Sequence, residues 1–147
     1  MWNWVAHCFK NYAAFRGRAS RSEYWCFWLF LFFTTVLINS VKTVAPGFGL
    51  ALSLTWAAFT IVPHLAVSSR RLHDSGHSFW WVVAPLLAVS PAVLVGLTRP
   101  AGLKGDPAFF LLFLAFFGLS IWLVILLANR SAPGPNRYGE PAPTTPD

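Results

Sequence analysis

Two histidines four positions apart with a carboxylate between them, His73-Asp74-Ser75-Gly76-His77, are the first residues here whose types and spacing suggest chemistry. On a helix, positions i and i+4 share a face. The trio therefore raises metal binding, or an enzyme or transporter acting on a lipid or small polar molecule. Gly76 argues for a turn instead, and spacing fixes no third strong ligand, so no metal and no cofactor are expected. His64 is ionisable inside an apolar run and shares a helical face with Ser68 and Arg71. A neutral histidine bonded to a neighbouring helix is the plainer reading of it.

The second chemical signal is charge. Three polar clusters stand out: Phe15 to Trp25 (FRGRASRSEYW), Arg70 to Trp81 (RRLHDSGHSFWW) and Gly134 to Pro141 (GPNRYGEP). Glu23 and Asp74 lie beside apolar runs, where an unpaired carboxylate is costly, so each should find a guanidinium. The expected pairs are Glu23 with Arg70 or Arg71, and Asp74 with Arg18 or Arg21. Such pairing would lock the first membrane helix to the loop between the second and third. Arg18, Arg21, Arg70 and Arg71 outnumber the two carboxylates, and the surplus charge suits anionic lipid headgroups or a partner protein.

The elements that must position these clusters are set by apolar length. The chain has 147 residues, 56% hydrophobic and 11% charged, with a net charge of +6. That composition fits a membrane protein better than a soluble globule. Its basic residues sit in short clusters between uncharged runs rather than on a polar domain, which disfavours nucleic acid as partner. A helix needs about 20 apolar residues to cross about 30 Å of hydrocarbon. Four segments qualify, at about 24–41, 50–69, 79–98 and 108–128. Pro46-Gly47-Phe48-Gly49 punctuates the first two, Pro85 and Pro91 should bend the third, and Asp106-Pro107 starts the fourth.

Residues 1–15 place Trp2, Val5, Phe9 and Tyr12 on one arc and Asn3, His7, Lys10 and Asn11 on the other, the pattern of an interfacial helix. The charges before Tyr24 do not suit a cleaved signal. Residues 131–147 are rich in Pro, Gly and Thr and are expected to form a disordered, flexible cytoplasmic tail on a membrane domain spanning 1–130. Cys8 and Cys26 are read as free thiols.

Orientation follows from the Lys and Arg beside the membrane ends. Lys10, Arg16, Arg18, Arg21, Arg70, Arg71, Arg130 and Arg137 collect on one side; Lys42, Arg99 and Lys104 lie on the other. Both termini are therefore expected in the cytoplasm. No carboxylate lies inside a span and no inverted repeat is visible, which disfavours ion-coupled transport. Phosphate-cradling loops, nucleophile elbows and paired-cysteine metal motifs are absent as well, so a non-enzymatic protein is expected. Four helices bury a modest interior, which leaves room for a homo-oligomer or a membrane-protein partner.

Four stretches carry a resemblance: Phe15-Arg16-Gly17-Arg18-Ala19-Ser20-Arg21-Ser22-Glu23-Tyr24-Trp25, then Arg70-Arg71-Leu72-His73-Asp74-Ser75-Gly76, then Trp80-Trp81, and finally Asn136-Arg137-Tyr138-Gly139. In their order the chain resembles the domain of unknown function 805 family, the YhaH-like bacterial inner-membrane proteins. It departs from the family pattern at His77, where Arg is usual, and at Phe79, where Gly is usual. The resemblance implies a multi-helix fold in the bacterial inner, or plasma, membrane and supplies no reaction and no catalytic residue. The expected architecture is thus all-α and multi-pass: four transmembrane helices, an N-terminal interfacial helix and a loose tail.

Overall fold

The computed structural model of the chain describes residues 1–87, 107–142 and 145. Its regular elements are helices: α1 (Trp2–Lys10), α2 (Arg21–Val44), α3 (Pro46–Asp74), α4, helical over residues 80–87, and α5 (Pro107–Ala128). Among the described residues, three helical segments are long and apolar enough to cross a membrane: α2, α3 and Phe110–Ala128 of α5. The third expected span, 79–98, is helical over 80–87; its remainder, with Pro91 and the bend expected there, lies outside the described residues.

Both α2 and α3 outrun their apolar centres. At about 1.5 Å per residue, the 24 residues of α2 and the 29 of α3 give helices well beyond a hydrocarbon core of about 30 Å. The polar ends Arg21–Glu23 and Arg70–Asp74 therefore stay helical past the apolar boundary. Ser20 caps α2 by accepting from the Glu23 amide at 3.2 Å, which leaves the Glu23 carboxylate in the first turn, where the helix dipole favours it. α3 stops at Gly76, whose φ of +81° closes the helix while His77 N donates to Leu72 O at 2.8 Å and Gly76 N to His73 O at 3.0 Å. That end is a Schellman motif, which needs a left-handed residue at the glycine.

The Pro46–Gly49 stretch is part of a helix rather than a turn. Pro46 opens α3, where its missing amide hydrogen has no intrahelical partner to lose, and Ala45 alone joins α2 to α3. Gly49 is required by close approach: a Cβ there would stand 2.7 Å from the Lys42 Cα and backbone nitrogen.

α1 lies on the flank of this hairpin, against residues within the apolar spans. Phe9 meets Phe27 and Phe30 edge-on at 5.4 and 6.0 Å and stacks on Phe59 at 5.6 Å. The buried face is Trp4, Val5 and Cys8; Trp2 is largely exposed with its ring edge-on to Phe30 at 6.1 Å, and Tyr12 falls in the turn that follows the helix end at Lys10. Tyr12 has a specific role there. Pro63, inside α3, cannot donate to the carbonyl four residues earlier. That carbonyl belongs to Phe59, and the Tyr12 hydroxyl donates to it at 2.5 Å.

The core gathers at one end of the bundle, where α2 begins and α3 and α5 finish. Phe27, Val67, Leu72, Leu126 and Leu127 pack there with Val5, Cys8 and Ala19. Of the tail expected to be disordered, residues 143, 144, 146 and 147 lie outside the described residues, whereas residues 131–142 make defined contacts. They fold back over this end, with Ala132 N donating to Asp74 O at 3.0 Å and a two-way backbone bridge between Asn136 and Gly139. The bonds received by the tail's own carbonyls offset the entropy that its composition would otherwise leave uncompensated.

Candidate functional site

At this end of the bundle two carboxylates and three arginines are buried together. Glu23, Arg71 and Asp74 are 0% exposed, and Arg18 and Arg70 are 6% exposed. Asp74, in the last turn of α3, receives Arg18 Nε on Oδ1 at 2.8 Å and Arg71 Nη1 on Oδ2. Glu23 Oε1 receives Arg70 Nη1 at 2.8 Å. Of the expected alternatives, the structure brings together Glu23 with Arg70 and Asp74 with Arg18, and adds Arg71 as a second partner of Asp74. Arg21 stays outside the network. It is exposed, and its Nε donates to Asn129 O at 3.0 Å.

Arg18 and Arg71 also collect backbone carbonyls. Arg18 Nη1 donates to Gly134 O at 2.6 Å and to Gly139 O at 3.5 Å, and Nη2 donates to Ala132 O at 2.7 Å. Arg71 Nε donates to Leu127 O at 2.9 Å, Nη1 to Ala19 O at 3.4 Å, and Nη2 to Asn129 O. The end of α5 has no basic residue of its own in its last turn. Arg71 and Arg21 supply cations to its free carbonyls, where the helix dipole is negative. Each nitrogen of the Arg18 and Arg71 guanidinium groups is thereby matched by an internal acceptor. These two side chains hold the loop before α2, the end of α3, the end of α5 and the tail in register.

The histidine trio does not converge. The Schellman turn at Gly76 separates His73 from His77, so they share no helix face. His73 stacks on Tyr138 at 3.9 Å with an interplanar angle of 7°, and its Nδ1 lies 3.3 Å from Gly17 O. His77 Nδ1 lies 3.2 Å from Ser75 Oγ. Asp74 faces the two arginines instead. Among the described residues no three His, Cys, Asp or Glu side chains are placed to hold a metal. The tail completes this surface: Asn136 Nδ2 donates to His73 O at 3.0 Å, and Arg137 Nη2 to Gly76 O at 3.3 Å. The Arg137 guanidinium also lies 4.7 Å over the Tyr138 ring.

Sequence reasoning missed Cys8 as a member of the site. Its thiol points at Glu23 Oε1 across 3.7 Å. Burial, reinforced by the Glu23 carboxylate and opposed by Arg70, pushes this thiol well above the ordinary range, so it stays protonated. Cysteine on the inner face of an amphipathic N-terminal helix was the available signal. His64 stands apart, on the wall of a cavity of about 490 Å³ between α2 and α3 that is also lined by Trp28, Trp56 and Thr60.

The exposed cations around the buried network are Lys10, Arg16, Arg21, Arg130 and Arg137, with Glu140 the exposed acid near them in sequence. They form a basic rim, and the network beneath it is closed on itself apart from the Glu23–Arg70 pair.

Residues 12–140 match the family model described as "Protein of unknown function (DUF805)". Among curated proteins, the chain is 33% identical over 144 residues to the inner membrane protein YhaH of Escherichia coli (strain K12), covering 93% of each chain. It is 32% identical over 139 residues to the inner membrane protein YhaI of the same strain, covering 92% of each. An uncharacterized protein of that strain, YiiR, is 31% identical over 140 residues, covering 86% of this chain and 84% of the relative. No solved structure matches the chain.

Proposed function

This chain belongs to the DUF805 family, and from that premise we propose a non-catalytic, multi-pass protein of the bacterial inner membrane whose exposed basic rim retains anionic lipid. In this reading four helices cross the membrane and both termini face the cytoplasm. The observation that carries it is the division of labour among the arginines. Arg18 and Arg71 are buried and matched by internal acceptors, which suits a lock, while Lys10, Arg16, Arg21, Arg130 and Arg137 are exposed, Arg21 and Arg137 each with one bond to a main-chain carbonyl. Of the four arginines read from sequence as ligands of anionic lipid or a partner, Arg21 is the exposed one, and in this reading its rim neighbours join it.

Juxtamembrane cations contribute about 1 kcal/mol each toward an anionic surface, an attraction that salt screens within about 10 Å at 0.1 M. Two experiments test the reading. Lipid extracted from the full-length protein after washing in mild detergent is expected to lose phosphatidylglycerol as salt rises from 0.05 to about 0.5 M; retention indifferent to salt contradicts the rim. For topology, green fluorescent protein fused after Asp147 is expected to fluoresce and alkaline phosphatase fused there to be inactive; the reverse pattern overturns the orientation. The acid–base reading of His73, Asp74 and His77 has no geometric support of the same kind, since the three groups face different partners.

A further inference from the structure

We propose that the Glu23–Arg70 pair is the headgroup site of a zwitterionic phospholipid of the phosphoethanolamine type. Arg70 uses Nη1 for Glu23 Oε1 at 2.8 Å. Its remaining nitrogens, Nε and Nη2, which lie along one edge of the guanidinium, are buried without a hydrogen-bond partner, and so is Glu23 Oε2. Arg18 and Arg71 offer the contrast: in the same network and equally sheltered, each has Nε, Nη1 and Nη2 all matched. A buried donor left unmatched is costly, so the open edge of Arg70 calls for an acceptor and the open oxygen of Glu23 for a donor.

The chemistry of the missing partner follows from these three atoms. Two parallel N–H groups on one guanidinium edge fit two oxygens of a phosphate in the bidentate manner. A free carboxylate oxygen beside them accepts from an ammonium. The pair itself is neutral overall, so it complements a headgroup carrying both signs better than a net anion, whose charge Glu23 would oppose. Its place in the fold suits a lipid: Glu23 is in the first turn of α2 and Arg70 in the last turns of α3, where the apolar spans give way to the polar end of the bundle. Helix α1, whose Cys8 thiol lies 3.7 Å from Glu23 Oε1, covers the pair, so the proposal requires α1 to move aside when a headgroup binds. This site is distinct from the basic rim, with different residues, a different lipid charge and less screening because it is buried.

The test uses the full-length protein in mild detergent at high salt, where the rim is screened, offered equal amounts of phosphatidylethanolamine, phosphatidylcholine and phosphatidylglycerol with matched acyl chains. Retained lipid is counted by native mass spectrometry. Phosphatidylcholine keeps the phosphate but its ammonium has no N–H, and phosphatidylglycerol has no cation. Losing one charge-assisted hydrogen bond corresponds to about tenfold or more in affinity. Phosphatidylethanolamine is therefore expected to be retained at least about tenfold over either competitor. In Glu23→Gln the preference over phosphatidylcholine is expected to fall toward unity. Should that variant fail to fold, the wild-type protein with ethanolamine, N,N-dimethylethanolamine and choline lipids decides the matter, since the preference must persist while an N–H remains and vanish at choline. Equal retention of ethanolamine and choline lipids by the wild type, a lead for phosphatidylglycerol at high salt, or a preference undiminished in a folded Glu23→Gln variant overturns the proposal.

Discussion

The bond from Tyr12 to the Phe59 carbonyl gives a prediction that can be worked through in numbers. Pro63 leaves that carbonyl without its helical donor, and the Tyr12 hydroxyl takes the place at 2.5 Å. Tyr12→Phe removes an ordinary hydrogen bond, a net loss of about 0.5–1.5 kcal/mol, and leaves the acceptor unmatched on an apolar flank, which raises the cost to about 1–3 kcal/mol. In a Pro63→Ala background the amide of residue 63 donates to Phe59 O, and the same Tyr12→Phe change is expected to cost less than about 0.5 kcal/mol. The coupling energy of the double-mutant cycle is therefore between about 0.5 and about 3 kcal/mol. The assay is reversible unfolding in mixed micelles of mild detergent and sodium dodecyl sulfate, followed by tryptophan fluorescence and far-ultraviolet circular dichroism across the four proteins. Pro63 is fully buried, so Pro63→Ala alone trades better helix geometry against a small void. The cycle cancels that trade. Additivity within about 0.3–0.5 kcal/mol would refute the claim that Tyr12 answers the gap left by Pro63.

Three further outcomes follow from the same geometry. Gly49→Ala drives a methyl group into the Lys42 backbone at the α2–α3 junction, and is expected to destabilise by about 1–3 kcal/mol, read as a lower melting temperature; an unchanged melting temperature refutes the close approach. Asp74→Asn leaves Arg18 and Arg71 buried without their anion, at about 3–5 kcal/mol, and should release residues 131–142 to proteolysis, whereas wild-type protection of the tail would refute its dependence on Asp74. Cys8, with its thiol held up by burial and by Glu23, is expected to resist maleimide at pH 8 until the protein unfolds. Because its folded pKa is raised, the stability it contributes is full below the ordinary thiol value of about 8.5 and declines as pH rises above that, a slope that Cys8→Ser should remove.

Hydropathy and charge carried the fold a long way because the membrane permits few solutions: α2, α3 and α5 sit where the uncharged runs are. Their ends were less legible. Arg21–Glu23 and Arg70–Asp74 look like loop in a hydropathy reading, yet they remain helical, with Glu23, Arg70, Arg71 and Asp74 in buried pairs that replace solvent around their charges. The need of Glu23 and Asp74 for guanidinium partners could be read from their place beside apolar runs. The docking of residues 131–142 could not, since its acceptors are main-chain carbonyls at Ala132, Gly134 and Gly139, invisible in composition. For the same reason the sequence offered Arg18 and Arg71 at most one carboxylate each, whereas in the structure main-chain carbonyls make them the most fully used side chains of the site. Pro63 passed unnoticed because its effect falls on a residue four positions away and is met by a side chain from the turn after α1.

The central claim, that the exposed rim and not the buried network retains anionic lipid, is tested most directly by native mass spectrometry at low salt on wild type and an Arg16→Gln, Arg21→Gln, Arg130→Gln, Arg137→Gln variant. The account predicts phosphatidylglycerol adducts on the wild type and their loss from the variant, with the melting temperature lowered by no more than a few degrees. Adducts that persist undiminished on the folded variant would contradict it.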